Sequence, residues 1–228
     1  MAGIPARVPK VWNEKTQKGW NSLIYYTLEL IGTIAFAISG ASVGIKKKMD
    51  ILGVAVLAMT TAVGGGILRD LIIGSVPPAA FRDPAFTVTA IVVGLISFLP
   101  AVREDYRRKA EYYEQILLVT DALGLGIFTA IGIQAAYHAL PWCNGFLAGF
   151  VGVLTGVGGG VMRDVMAGEQ PYIFVKHFYA SASILGAAFC VLTWGLMSQA
   201  ASLLSCTALV VLLRILAAKF RWKLPKAE

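Results

Sequence analysis

The chain has 228 residues, 57% of them hydrophobic and 14% charged, with a mean hydropathy of +0.70. Soluble domains carry about 25% charged residues, so this composition excludes an ordinary water-soluble fold and points to lipid. The formal net charge of +7 does not indicate a nucleic-acid partner, because the cations cluster beside apolar stretches, as membrane topology requires.

Residues 1–20 are polar and basic, with Arg7, Lys10, Lys15 and Lys18 and no apolar core. They lack the apolar stretch and cleavage site of a signal peptide and read as an exposed, partly disordered tail at the membrane surface. A span needs about 20 largely apolar residues to cross roughly 30 Å of hydrocarbon. Seven stretches qualify: Leu23–Gly44, Ile51–Ile73, Phe86–Val102, Gln115–Ala136, Trp142–Met166, Phe178–Met197 and Ala201–Ala218. The third is short, and Pro77, Pro78 and Pro84 punctuate the loop before it. Cys143, Cys190 and Cys206 have no metal or disulfide spacing and read as small core residues.

The second and fifth spans spell one phrase twice. Residues 61–74 read TAVGGGILRDLIIG and residues 155–168 read TGVGGGVMRDVMAG. Thr61 matches Thr155, Gly64–Gly66 match Gly158–Gly160, Arg69 and Asp70 match Arg163 and Asp164, and Gly74 matches Gly168. Pro77 and Pro171 follow at the same distance. The match extends to the first and fourth spans, where Glu29, Gly32, Phe36 and Gly40 answer to Asp121, Gly124, Phe128 and Gly132. Spans one to three therefore correspond to spans four to six. Three is odd, so the second copy enters from the opposite face. The predicted fold is an all-α membrane protein of seven transmembrane helices, an inverted 3+3 repeat plus a seventh helix. Its parts are a tail at 1–20, a first repeat at 21–102, a charged loop at 103–114, a second repeat at 115–197, the seventh span at 198–219 and a basic tail at 220–228.

One side of this topology collects Lys46–Lys48, Arg103, Arg107, Arg108, Lys109, Lys176, Lys219, Arg221, Lys223 and Lys226. The other holds only Arg7, Lys10, Lys15, Lys18 and Arg82. The positive-inside rule then predicts a multi-pass protein of the cell (inner) membrane, with the N-terminus outside and the C-terminus in the cytoplasm. Arg214, near the cytoplasmic end of span seven, is expected to snorkel to the headgroups.

A glycine in a helix interior costs about 1 kcal/mol relative to alanine, so each triplet is a weak point. Gly64, Gly65, Gly66, Gly158, Gly159 and Gly160 are expected to bend their helices at a water-filled path and free carbonyls for a transient K⁺ or Na⁺. Close helix packing is the competing use of such residues. Arg69, Asp70, Arg163 and Asp164 lie within spans, where ionisable groups turn inward and pair. They read as pathway residues, with a structural ion pair as the alternative; neighbours on a helix point about 100° apart, so Arg69 need not bond Asp70, and another span can supply the partner. Glu29 and Asp121 read as cation-attracting groups or as partners for Arg163 and Arg69. Thr61 and Thr155 offer hydroxyls to an ion or to their own helix. The glycines resemble a phosphate loop, but no Lys-Ser/Thr follows. His138 and His177 stand alone. No catalytic constellation, metal motif or cofactor is read, and an enzyme is not expected.

Two copies of T-x-x-G-G-G-x-x-R-D-x-x-x-G, one per three-helix repeat and followed by a seventh helix, resemble the trimeric intracellular cation (TRIC) channels, in their bacterial and archaeal branch. The resemblance covers residues 23–218. It implies a homotrimer in membrane lipid, with a pore in each protomer that passes monovalent cations, chiefly K⁺. It also implies that the triplets kink the second and fifth helices around that pore, which the first and fourth helices help to line. A secondary transporter of a small solute such as glycine is the alternative, since broken helices in inverted repeats also build transporter sites. A non-transporting scaffold has no use for duplicated intramembrane charges.

Overall fold

A computed structural model describes residues 14–175 and 178–222, all of whose regular structure is helical. The elements are α1 (Glu14–Lys46), α2 (Ile51–Ile72), α3 (Ala79–Arg82), α4 (Ala85–Ser97), α5 (Pro100–Arg108), α6 (Ala110–Ala139), α7 (Gly145–Met166), α8 (Tyr172–Val175), α9 (Tyr179–Thr193) and α10 (Gln199–Lys219). Five of them, α1, α2, α6, α7 and α10, are long and apolar enough to cross a membrane. The apolar helices α4 and α9, expected as the third and sixth spans, have 13 and 15 residues. At 1.5 Å per residue they reach about 20–23 Å, short of the hydrocarbon thickness.

Two boundaries differ from expectation. The tail predicted for residues 1–20 lies outside the described residues up to residue 13, as do Lys176, His177, Lys223 and Lys226; from Glu14 onward the chain is already helix α1. No proline interrupts residues 14–46, and Glu, Lys and Gln are good helix formers. The charged stretch at 103–114 is not a loop. Pro100 at the first helical position starts α5, and α6 begins at Ala110.

The repeat is visible in the helix ends. Asp50 caps α2 by accepting from the Gly53 N–H at 2.7 Å, and Asn144 caps α7 by accepting from the Leu147 N–H at 2.8 Å. At the other end Gly74 (φ 74°) and Gly168 (φ 67°) adopt the left-handed conformation. There the Ser75 N–H reaches the Asp70 carbonyl at 2.8 Å, and the Glu169 N–H reaches the Asp164 carbonyl at 2.9 Å. These are two copies of one glycine-terminated helix ending.

Helices α1, α2 and α4 pack together, as do α6, α7 and α9. The two groups meet where α2 lies on α7 and α1 on α6, while α10 packs on α6 and α9. The contacts across this seam are reciprocal. A Cβ added to Gly65 would overlap the Thr155 carbonyl oxygen, and one added to Gly159 would overlap the Thr61 carbonyl oxygen. Residue 61 thus faces 159 while 65 faces 155, so α2 and α7 cross antiparallel about a pseudo-twofold axis, as an inverted repeat demands. Phe36 and Phe128 stack at 5.3 Å across the same seam.

Candidate functional site

The duplicated glycines serve the crossing. Both α2 and α7 run as continuous helix through their triplets. The approach of the two backbones at Gly65 and Gly159 admits no side chain. The flanking glycines differ among themselves. Gly64 lies under Met162 and Gly158 beside Leu68, whereas Gly66 has nothing nearer than the Arg69 Nη2 at 3.8 Å. Thr61 and Thr155 donate to the Leu57 and Val151 carbonyls of their own helices, each at 2.6 Å. They also press against glycines, Thr61 against Gly40 and Thr155 against Gly132.

Each arginine bonds its sequence neighbour, and Arg163 finds a partner on another span as well. Arg69 Nε donates to Asp70 Oδ1 at 2.8 Å, and Arg163 Nε donates to Asp164 Oδ1 at 2.8 Å. The long guanidinium folds back across the angular gap between adjacent positions. The second carboxylate oxygen ties down the chain beyond the helix: Asp70 Oδ2 accepts from the Ala79 N–H at 2.7 Å, and Asp164 Oδ2 accepts from the Tyr172 N–H at 2.8 Å. The spacing R-D-x-x-x-G followed by proline therefore describes a latch. Glycine turns the chain, proline directs it, and the aspartate holds the first turn of α3 or α8.

Beyond the latch the two halves diverge. Arg163 is 0% exposed, and its Nη1 donates to Asp121 Oδ1 of α6 and to Ser39 Oγ of α1. The guanidinium also lies 4.8 Å over the Tyr172 ring. Asp121 thus serves as an arginine's partner. Glu29, its counterpart, does not pair with Arg69: among the described residues no hydrogen bond or ion pair holds its carboxylate, and Arg69 Nη1 has no acceptor. Ser39 was invisible to repeat matching, because its counterpart is Ile131. Arg214 does not snorkel. It is buried, 4.8 Å over the Tyr179 ring, where an inward-facing aromatic replaces the headgroups as its partner. Cys190 and Cys206 sit in the core, and Cys143 is partly exposed.

Two cavities flank the seam. The first, of about 580 Å³, is walled by Tyr25, Tyr26, Glu29, Arg69, Phe86 and Gln134 among others. The second, of about 720 Å³, is walled by Lys46, Glu114, Asp121, Tyr172, Arg214 and Trp222 among others. A side cavity of about 400 Å³ brings in Lys47, Asp164 and Glu169. Glu29 and Arg69 thus reach the first cavity, and Asp121 and Asp164 the other end. Phe36, Phe128 and the Arg163–Asp121–Ser39 cluster are buried at the seam. The arrangement places carboxylates in both cavities and a buried arginine at the seam.

A family model described as glycine transporter matches residues 26–101 and again residues 118–195, once per repeat. The chain is 38% identical over 202 residues to the UPF0126 inner membrane protein YadS of Escherichia coli (strain K12), covering 89% of this chain and 94% of that one. It is 35% identical over 204 residues to a UPF0126 membrane protein of Vibrio cholerae, covering 89% and 82%. Among solved structures, it is similar to a prokaryotic TRIC channel in 0.5 M KCl (TM-score 0.80, 30% identity, 89% of this chain and 100% of that chain). It is also similar to a structure described in terms of conductance through TRIC cation channels (TM-score 0.77, 36% identity, 89% and 96%).

Proposed function

Because the chain belongs to the UPF0126 family of membrane proteins, to which the glycine-transporter model also assigns it and whose solved structural neighbours are TRIC channels, we propose that it is a channel for monovalent cations, chiefly K⁺, and not an enzyme. The observation that carries this reading is the pair of carboxylate-bearing cavities on either side of an antiparallel glycine crossing.

In this reading α4 and α9 are the third and sixth of seven crossings, each completed by the short helix and loop before it. The first cavity opens outside and the second to the cytoplasm, the side richer in Lys and Arg. Each protomer of a homotrimer carries its own path, lined by α1, α2, α6 and α7. The closed seam holds Arg163, which occupies the Asp121 and Asp164 carboxylates that would otherwise attract a passing cation. Conduction requires the Arg163–Asp121 contact to part, which leaves Asp121 free to attract the ion. The glycine crossing supplies a surface of backbone on backbone, along which α2 and α7 slide without a side chain being displaced.

The two separated cavities also suit a transporter of a small solute, and the description of the matching family model favours it as the second reading. A planar bilayer under a KCl gradient tests the first: unitary current steps with a cation-selective reversal potential support the channel. A silent bilayer together with saturable glycine uptake into liposomes supports the transporter.

A further inference from the structure

The first cavity carries more unsatisfied acceptors than its own wall fills. Gln134, on α6, is 7% exposed, lines the cavity, and its Oε1 accepts no hydrogen bond. Glu29 is half-buried on the same wall with an unpartnered carboxylate, a costly state inside a membrane. Asp83 adds a second carboxylate at the rim. Facing them are aromatic rings. Tyr26 and Phe86 lie 5.2 Å apart at 51°, and Tyr25 continues that surface. The wall's arginine, Arg69, is already neutralised by Asp70. Its free Nη1 belongs to a residue that also lines a small void of about 30 Å³ shared with Glu29 and Thr33, room for a water.

We propose that the first cavity is a binding site for an aliphatic ammonium ion, a primary or N-methylated amine. The cationic head sits between the Glu29 carboxylate and Gln134 Oε1, and the methylene or methyl groups lie on the faces of Tyr25, Tyr26 and Phe86. An ammonium head supplies up to three donors to the unfilled acceptors. Its carbon substituents, unlike the hydration shell of K⁺, gain from aromatic contact and from cation–π attraction. The cavity's 580 Å³ falls within the range of small-molecule sites. The matched position in the second repeat differs, because Asp121 Oδ1 already accepts from Arg163 Nη1. If the channel reading holds, an amine seated here obstructs cation entry from this side.

The test uses the full chain in lipid nanodiscs, titrated with n-butylammonium chloride at constant ionic strength and read by calorimetry. Saturable binding is expected, with butan-1-ol and butyrate failing to bind. Glu29→Gln should weaken affinity about tenfold, and Tyr26→Leu severalfold. Glu114→Gln, at the rim of the second cavity, should leave it unchanged. Each variant is first matched to the wild type in melting temperature, and Tyr26→Leu carries the test if Glu29→Gln does not fold. The proposal is overturned by non-saturable binding, by butan-1-ol binding equally well, or by affinity that survives both substitutions. Binding is read without current, so a failure here leaves the channel reading standing, and a silent bilayer leaves this site standing.

Discussion

Substituting Gly65 and Gly66 one at a time separates a crossing point from a hinge. In Gly65→Ala the new methyl overlaps the Thr155 carbonyl oxygen, far inside the 3.0 Å below which real Cβ atoms essentially never approach. The obstacle is backbone, so no rotamer change relieves it, and α2 and α7 must separate by about 1 Å. A gap of that size forfeits a quarter to a half of each dispersion contact along the seam, and overpacking of this kind costs about 1–3 kcal/mol. Gly66→Ala meets nothing closer than 3.8 Å and gains up to about 1 kcal/mol of helix propensity. A loss of melting temperature in Gly65→Ala, set against no loss or a gain in Gly66→Ala, is therefore expected from thermal scans in detergent. Gly159→Ala should behave as Gly65→Ala. The double variant should cost less than the sum, because both methyls act on one crossing. Equal destabilisation by Gly65→Ala and Gly66→Ala, or none by either, would refute the packing argument and return the triplet to a bend.

The matched acids should respond unequally. Asp121→Asn removes a buried charge partner of Arg163 and is expected to cost about 3 kcal/mol, the lower end for a broken buried pair because Asp164 remains; Glu29→Gln should be nearly neutral in the same melt. Asp50→Ala and Asn144→Ala should each cost about 1 kcal/mol through a lost helix cap, read as matching drops in melting temperature. Glu114→Gln breaks only the exposed pair with Lys46 and should shift stability by less than about 1 kcal/mol at any salt concentration.

Much of this architecture was legible because duplication gives every reading a second witness. The matched Gly, Arg, Asp and Thr positions mark an inverted repeat, which the antiparallel crossing of α2 and α7 obeys, and the cost of lone charges in lipid calls for a partner for Asp121, the place Arg163 takes. What the sequence leaves open it leaves open for local reasons. A glycine triplet has the same sequence whether or not it admits another backbone, and the positions of Thr155 and Thr61 show that it does. Cα directions leave the partner of Arg69 open, since a guanidinium is long enough to turn back to Asp70. Arg214 was misplaced because its partner, the Tyr179 ring, lies on another helix. Ser39, Gln134 and the aromatic wall of the first cavity carry no repeated signal, and their roles depend on asymmetry between the halves.

The most direct test of the central claim is electrical: purified protein in a planar bilayer under a KCl gradient. A cation channel should show discrete current steps that reverse near the K⁺ equilibrium potential, with Asp121→Asn shifting that reversal toward zero. A bilayer that stays silent while liposomes of the same protein accumulate glycine with saturation would contradict it.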